Sequence, residues 1–222
     1  MNARFAFDLE QAGRTLVAGA DEAGRGCLAG PLVAAAVAFA YDGFGDADFT
    51  ALDAVNDSKK LTRERREDVY AAIVARARQI VVVSCSSETI DRRGLHVCNL
   101  AALGAALEAL SPRPHAVFVD GFALAACAVP HEALVGGDGR SAAVAAASVV
   151  AKVTRDRLMR RMHERYPLWA FDEHVGYATA THQQLIAEHG VCAIHRMSFQ
   201  SVAFQQLGLG GESATETKAE VP

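Results

Sequence analysis

Four carboxylates occupy positions from which they could act together. Asp21 and Glu22 are adjacent within GADEAGRGCLAGP (19–31), among Gly24, Gly26 and Gly30. Asp120 closes the apolar run AVFVD ahead of Gly121, and Asp138 follows Gly136 and Gly137. An acid that ends an apolar strand stands at the rim of a sheet, where sites in open α/β proteins gather. Carboxylates brought together there repel one another unless a cation joins them. An all-oxygen ligand set without His or Cys suits Mg2+ or Mn2+. Such ions bridge acids to phosphate oxygens, so acids and glycines that admit a phosphate can share one site. An Asp beside Gly is also a common turn former or helix cap, a reading that competes most directly for Asp138.

Neighbouring residues of a regular strand point to opposite faces, so Asp21 and Glu22 share a site only if the strand ends or bulges there. Gly24 and Gly26 make such an irregularity an expectation. Two phosphate motifs compete for the segment. Gly19 to Gly24 has the spacing of a phosphate-binding loop, but Arg25-Gly26 replaces the required Lys and Ser/Thr. Gly24 to Gly30 comes near a dinucleotide fingerprint with one residue too many, and the run PLVAAAVAF after Gly30 reads as a strand where that motif needs a helix.

The elements that must hold these residues are legible in outline. Thr15–Ala20 and Leu32–Phe39 read as strands, and the Asp- and Gly-rich stretch Tyr41–Ser58 as a loop. Thr62 is a helix N-cap ahead of a helix over about Arg63–Arg78. Ile80–Ser84 reads as a strand, Leu95–Leu110 as a helix, and Ala116–Asp120 as a further strand. A long helix spans about Ala142–Arg165, apolar in its first half and basic in its second, and another covers about Thr179–Glu188. Strands mixed with helices around one sheet define an α/β class.

The chain of 222 residues has 51% hydrophobic and 22% charged residues, ordinary for a globular enzyme. A net charge of −4 gives no global pull on nucleic acid, so any polyanion must be met by local basic patches or bound metal. No export signal is visible, and the longest uncharged apolar run, Cys27–Tyr41, is too short to span a bilayer. Five scattered cysteines without a C-x-x-C pair point to a reducing, cytoplasmic setting. His174, His182, His189 and His195 match no standard zinc spacing, and His195-Arg196 reads as a packing or capping element.

Taken in order, DEAGRG (21–26), NDSKKL (56–61), VDG (119–121), AAASVVAKVTRD (145–156), HVGY (174–177) and HRMSF (195–199) resemble the motifs of bacterial ribonuclease HII. The resemblance covers about Leu16–Leu207. It implies a ribonuclease H-like mixed sheet flanked by helices, in a catalytic domain over 14–207 with a small C-terminal helical extension from about residue 166. It also implies an enzyme that cuts the RNA strand of RNA–DNA hybrids and cuts 5′ of single ribonucleotides in duplex DNA, as in ribonucleotide excision repair. Asp21, Glu22, Asp120 and Asp138 match the family's metal-binding acids. Gly24, Arg25 and Gly26 match the loop that reads the ribose 2′-hydroxyl, and Tyr177 a tyrosine that packs on the sugar beside the cut. Lys59 and Ser148 match positions along the duplex backbone.

These roles are chemically coherent. Two metal ions about 4 Å apart serve the attacking and leaving oxygens of a displacement at phosphorus, leaving 5′-phosphate and 3′-hydroxyl ends. The 2′-hydroxyl is the group that separates RNA from DNA at one position. Two departures stand out: Gly137 and Val175 occupy places where relatives commonly carry Lys. Basic clusters at Lys59, Lys60, Arg63, Arg65 and Arg66, and at Lys152, Arg155, Arg157, Arg160 and Arg161, partly compensate. Asp156 and Arg160 have the spacing of a helical ion pair that needs no ligand. The resulting expectation is a monomeric, metal-dependent endonuclease with a disordered tail over 208–222. The competing readings are a nucleotide-binding protein using Gly19–Gly30, which requires a helix after Gly30, and a non-catalytic nucleic-acid-binding module.

Overall fold

The two apolar runs on either side of the glycine-rich segment form strands β1 (Leu16–Ala23) and β2 (Leu32–Ala40), paired antiparallel from Leu16–Ala40 to Ala23–Val33. The computed structural model describes residues 2–55 and 62–199. Strand β3 (Gln79–Cys85) continues the antiparallel pairing beyond β2. On the other side of β1, β4 (Ala116–Asp120) runs parallel to it, and β5 (Glu132–Leu134) runs parallel to β4. The sheet order is β3-β2-β1-β4-β5.

Helix α1 (Ala3–Ala12) precedes the sheet, and α2 (Asp46–Ala51) and α3 (Arg63–Arg76) follow β2. After β3 come α4 (Ser87–Arg93) and α5 (Leu95–Glu108); after β5 come the one-turn α6 (Gly137–Arg140) and the long α7 (Ala142–Arg165). Helices α8 (Phe171–His174) and α9 (Ala180–His189) complete the described chain. Side-chain oxygens of Thr62, Ser86, Ser141 and Thr179 accept from backbone N–H groups in the first turns of α3, α4, α7 and α9. Each such cap contributes about 1 kcal/mol.

The strand period divides the core in two. Val17 and Ala23 of β1 pack under α7, whereas Ala18 and Ala20 pack with Leu103 and Leu107 of α5. The alanine-rich first half of α7 is wholly buried and lies close to the sheet. At the contact, a Cβ on Gly19 would stand 2.1 Å from the Val144 nitrogen, so glycine is required there. Asp8 of α1 locks the start of α7 by accepting from the Ala143 N–H at 3.0 Å and the Tyr41 hydroxyl at 2.7 Å.

One expectation from the sequence changes. Tyr41–Ser58 is not a plain loop: Tyr41–Gly43 forms a 3-10 turn and α2 comes after it. Phe44, Phe49 and Leu52 are buried there, and Phe5 of α1 packs edge-on to Phe49. Helix α1, for which the sequence pattern assigns no element, buries Phe5 and Asp8 against the core. Beyond α7, the chain turns at Pro167–Trp169 and folds back as α8 and α9, the expected C-terminal helical extension. The expected tail over 208–222 lies outside the described residues. Among the described residues no helix is long and apolar enough to cross a membrane.

Candidate active site

The last β1–β4 pair joins Ala20 to Val119, so Asp21 stands level with Asp120 on the neighbouring parallel strand. Neither the bulge nor the strand end expected after Asp21 is present, since β1 stays paired with β2 through Ala23. The two adjacent acids therefore take opposite faces, as a regular strand demands. Asp21 turns toward α7, where the Ser148 hydroxyl hydrogen-bonds its carboxyl. Glu22 turns toward α5, with Asn99 close by. They still meet one space, because β4 ends at Asp120 and leaves a notch in the sheet. A cavity of about 550 Å³ opens there, lined by Asp21, Glu22, Gly24, Arg25, Gly26, Asp120, Ser148, Lys152 and Tyr177.

The charges in this notch are in conflict. Asp21 is only 7% exposed. Burial first, and then the Glu22 and Asp120 carboxylates, push its pKa well above the usual range. Burial also raises Glu22, opposed by the Arg25 guanidinium at 3.2 Å. Asp120 accepts from the Gly137 N–H at 2.6 Å. Asp138 lies one residue beyond that contact on α6, half-buried, its main-chain oxygen accepting from Arg4 Nε at 2.9 Å. It does not line the cavity. The fold thus gathers Asp21, Glu22 and Asp120, and leaves Asp138 at the side.

This donor set fits divalent metal. The acids are hard oxygen ligands, crowded around the buried Asp21 at a cost that a cation would relieve. Among the described residues no three acid, His or Cys side chains converge on one point, so the acids border the cavity without forming a closed cage.

The wall opposite the acids is the Gly24–Pro31 loop, held from behind by two arginines. Arg155 is fully buried and donates to the carbonyls of Ala29, Pro31 and Val175 at 2.8–2.9 Å. Arg196, also fully buried, donates to those of Gly30 and Arg25 at 3.0 and 3.1 Å. Neither has an acid within ion-pair range among the described residues. Burial lowers the Arg196 pKa to about 10. Gly24, at φ +97°, leaves no room for a side chain, since a Cβ would meet Arg155 Nε at 2.1 Å. A Cβ on Gly26 would meet nothing within 4 Å.

Tyr177 reaches the cavity from the C-terminal extension. It bridges to Cys27 across the loop and is 37% exposed. The residues leading to it are strained: Val175, a branched residue, adopts φ +45°, and a Cβ on Gly176 would stand 2.5 Å from the Ala29 oxygen. Three histidines fix the arm, His174 stacked on His182 and His195 tilted against His182. His174 Nδ1 accepts from the Gly176 N–H, so its Nε2–H donates to the Trp169 carbonyl. His182 Nδ1–H must donate to the Tyr177 carbonyl at 2.8 Å, leaving Nε2 to accept from His195 Nε2–H at 3.1 Å. His195 Nδ1 then accepts from the Cys192 N–H. All three rings are neutral with assigned tautomers, and burial lowers His182 and His195 to about 4. His195 and Arg196 thus serve in packing and support, in line with the expectation.

The basic clusters divide. Lys59 and Lys60 lie outside the described residues. Arg157 pairs with Glu67 and covers the Tyr70 ring. Asp156 pairs with Lys152 at 2.8 Å and Arg66 at 3.9 Å, rather than with Arg160 as its spacing suggests. Arg155, Arg196 and Asn99 were not singled out as site residues from the sequence. The available signal was that Ser148, Lys152, Arg155 and Met159 recur at helical spacing along one face of α7.

A mixed five-stranded sheet with helices on both faces and acids level with each other on two adjacent parallel strands defines a nuclease of the ribonuclease H-like class. The sequence model of the family described as Ribonuclease HII matches residues 18–202. The ribonuclease HII of Salinispora arenicola is 48% identical over 195 residues, 88% of this chain and 71% of its own. The ribonuclease H2 structure from Pyrococcus horikoshii superposes with a TM-score of 0.70 at 25% identity, covering 89% of this chain and all of its own. The structure of Bst-RNase HIII in complex with Mn2+ superposes at 0.72 with 20% identity, covering 95% and 74%. The chain belongs to the ribonuclease HII family. It is an endonuclease that hydrolyses the RNA strand of RNA–DNA hybrids, with a divalent metal ion as cofactor. The nucleotide-binding alternative fails at its own requirement, because β2 stands where its helix after Gly30 should be.

Proposed function

We propose that the enzyme works by two-metal-ion hydrolysis and also cuts 5′ of single ribonucleotides embedded in duplex DNA. Asp21, Glu22, Asp120 and Asp138 are the residues that would hold Mg2+ or Mn2+. When bound, the ions supply activation of the attacking water and stabilisation of the leaving oxygen, giving 5′-phosphate and 3′-hydroxyl ends. The Mn2+ in the structure of Bst-RNase HIII agrees with this choice of metal. Asp138 joins the other acids from the side, by way of the turn that already touches Asp120.

The remaining residues bind and orient. Main-chain groups of Gly24, Arg25 and Gly26 meet the ribose 2′-hydroxyl, which both donates and accepts. Arg25, a donor only, serves Glu22 and the phosphate. Tyr177 presents a flat face and a hydroxyl to the sugar beside the cut. Ser148 and Lys59 contact the duplex backbone, which fixes position without reading sequence. The catalytic unit over 14–207, with its extension from about 166, acts as a monomer in the cytoplasm; five free cysteines agree with a reducing compartment.

The observation that carries this reading is the level placement of Asp21 and Asp120 on adjacent parallel strands, with Glu22 sharing their cavity. The test is a 5′-labelled DNA duplex containing one ribonucleotide, incubated with Mg2+, Mn2+ or EDTA. Wild type is expected to cut 5′ of the ribonucleotide in metal only, and Asp21→Asn and Asp120→Asn to lose at least about 100-fold in rate. Cleavage of long hybrid but not of this duplex would sink the role given to Gly24–Gly26 and Tyr177.

A further inference from the structure

Helix α7 carries Ser148 and Lys152 four residues apart, so both lie on one face and both line the cavity. Ser148 binds Asp21. Lys152 reaches the other wall: its Nζ lies 3.4 Å from the Tyr177 hydroxyl and 4.6 Å from the ring centroid. The same ammonium donates to Asp156 Oδ1 at 2.8 Å, and Arg66 approaches the second Asp156 oxygen at 3.9 Å. The Lys152 side chain is only 15% exposed and that of Asp156 7%. A lysine stem buried to this degree, with its charge paired at one helical turn, has little freedom. The Arg155 guanidinium carbon also stands over the ring, 5.8 Å from the centroid.

From this geometry we infer that Lys152 is a positioning residue for Tyr177, anchored by Asp156 and Arg66. The inference deepens the reading in which Tyr177 packs on the sugar beside the cut, and rests on it for its effect on cleavage. A cation held near the hydroxyl end of the ring fixes both the ring plane and the hydroxyl, one by attraction to the π face and the other by a hydrogen bond. The backbone of Tyr177 is already set by its bridge to Cys27 and by His182. Lys152 settles the remaining freedom, the side-chain torsions. Because Ser148 and Lys152 share one rigid helix, the Asp21 carboxyl and the Tyr177 ring are referred to the same element.

The test labels the chain with 3-fluorotyrosine, which places a probe at the four tyrosines, and assigns the Tyr177 fluorine resonance by its loss in Tyr177→Phe. Lys152→Met is expected to shift or broaden that resonance alone, and Lys152→Arg to restore part of it. On the single-ribonucleotide duplex, Lys152→Met should lower kcat about tenfold. In Tyr177→Ala the same change should cost no more than about twofold, since residues that act as a unit are non-additive. The salt slope of duplex affinity should be unchanged, whereas loss of a phosphate contact would lower it by about one. Asp156→Asn, which keeps the lysine charge but frees it, covers the case in which Lys152→Met does not fold, and should move the resonance in the same direction. An unmoved Tyr177 resonance, or a salt slope lower by one, would overturn the inference. If the resonance moves but Tyr177→Ala cleaves normally, the sugar-packing role of Tyr177 fails while its positioning by Lys152 stands.

Discussion

Gly24 and Arg155 interlock: the α-carbon of the glycine abuts the guanidinium that holds the loop behind it, at a spacing that excludes any Cβ. Gly26, two residues on, faces open space. Gly24→Ala must relieve both the clash and a φ of +97°, and is expected to cost roughly 1–3 kcal/mol of stability with a large loss of cleavage. Gly26→Ala should leave the melting temperature within about 2 °C and still lower cleavage, because its methyl group would enter the cavity. Thermal melts beside cleavage rates separate the two. Equal destabilisation by both changes would contradict the packing described.

The crowding of acids should be visible in stability without metal. Asp21 has a folded pKa above its unfolded value, so its contribution is fully favourable below the ordinary carboxylate pKa and is lost as pH rises through the folded value. In EDTA at pH 8, Asp21→Asn is therefore expected to melt a few degrees higher than wild type. Added Mg2+ or Mn2+ should reverse the order by stabilising wild type alone. Melting in EDTA and in metal checks this, and an Asp21→Asn protein less stable than wild type in EDTA would refute it.

The neutral histidine relay predicts acid sensitivity of the opposite sign. His182 and His195 fall to about 4 in the folded chain, below the ordinary 6.5. Their contribution is complete above pH 6.5 and is lost as pH falls toward 4, by about 1.4 kcal/mol per pH unit for each ring that must stay neutral. His182→Gln, which removes one titrating ring, should flatten the fall of melting temperature between pH 6.5 and 4.5. Parallel pH profiles of the two proteins would rule out the relay as the cause.

Much of the site was legible because its chemistry depends on residue types at strand ends. AVFVD announces both a buried strand and the acid that closes it, and DEAGRG both the acids and the loop. The relation between Asp21 and Glu22 was not legible, because it depends on where the neighbouring strand β4 stops rather than on β1 itself. Arg155 reads as one member of a basic cluster and Arg196 as a packing or capping residue, and neither reading names the loop that these two fully buried side chains hold. Their partners are main-chain carbonyls of a loop distant in sequence, and no local pattern encodes that demand. The Tyr41–Ser58 stretch misled for a related reason: its Asp and Gly content is that of a loop, while Phe44 and Phe49 fold it onto α1.

The two guanidiniums buried behind the Gly24–Pro31 loop also shape how the enzyme meets its substrate. The molecule as a whole is anionic, at −4, so a polyanion far from it meets a weakly repelling field. Charge held inside a low-dielectric interior is little screened by salt and spreads through the carbonyls it binds, not through solvent. A duplex is therefore expected to be gripped most firmly where its backbone fits the notch that this loop walls, a form of discrimination that precedes any reading of the sugar.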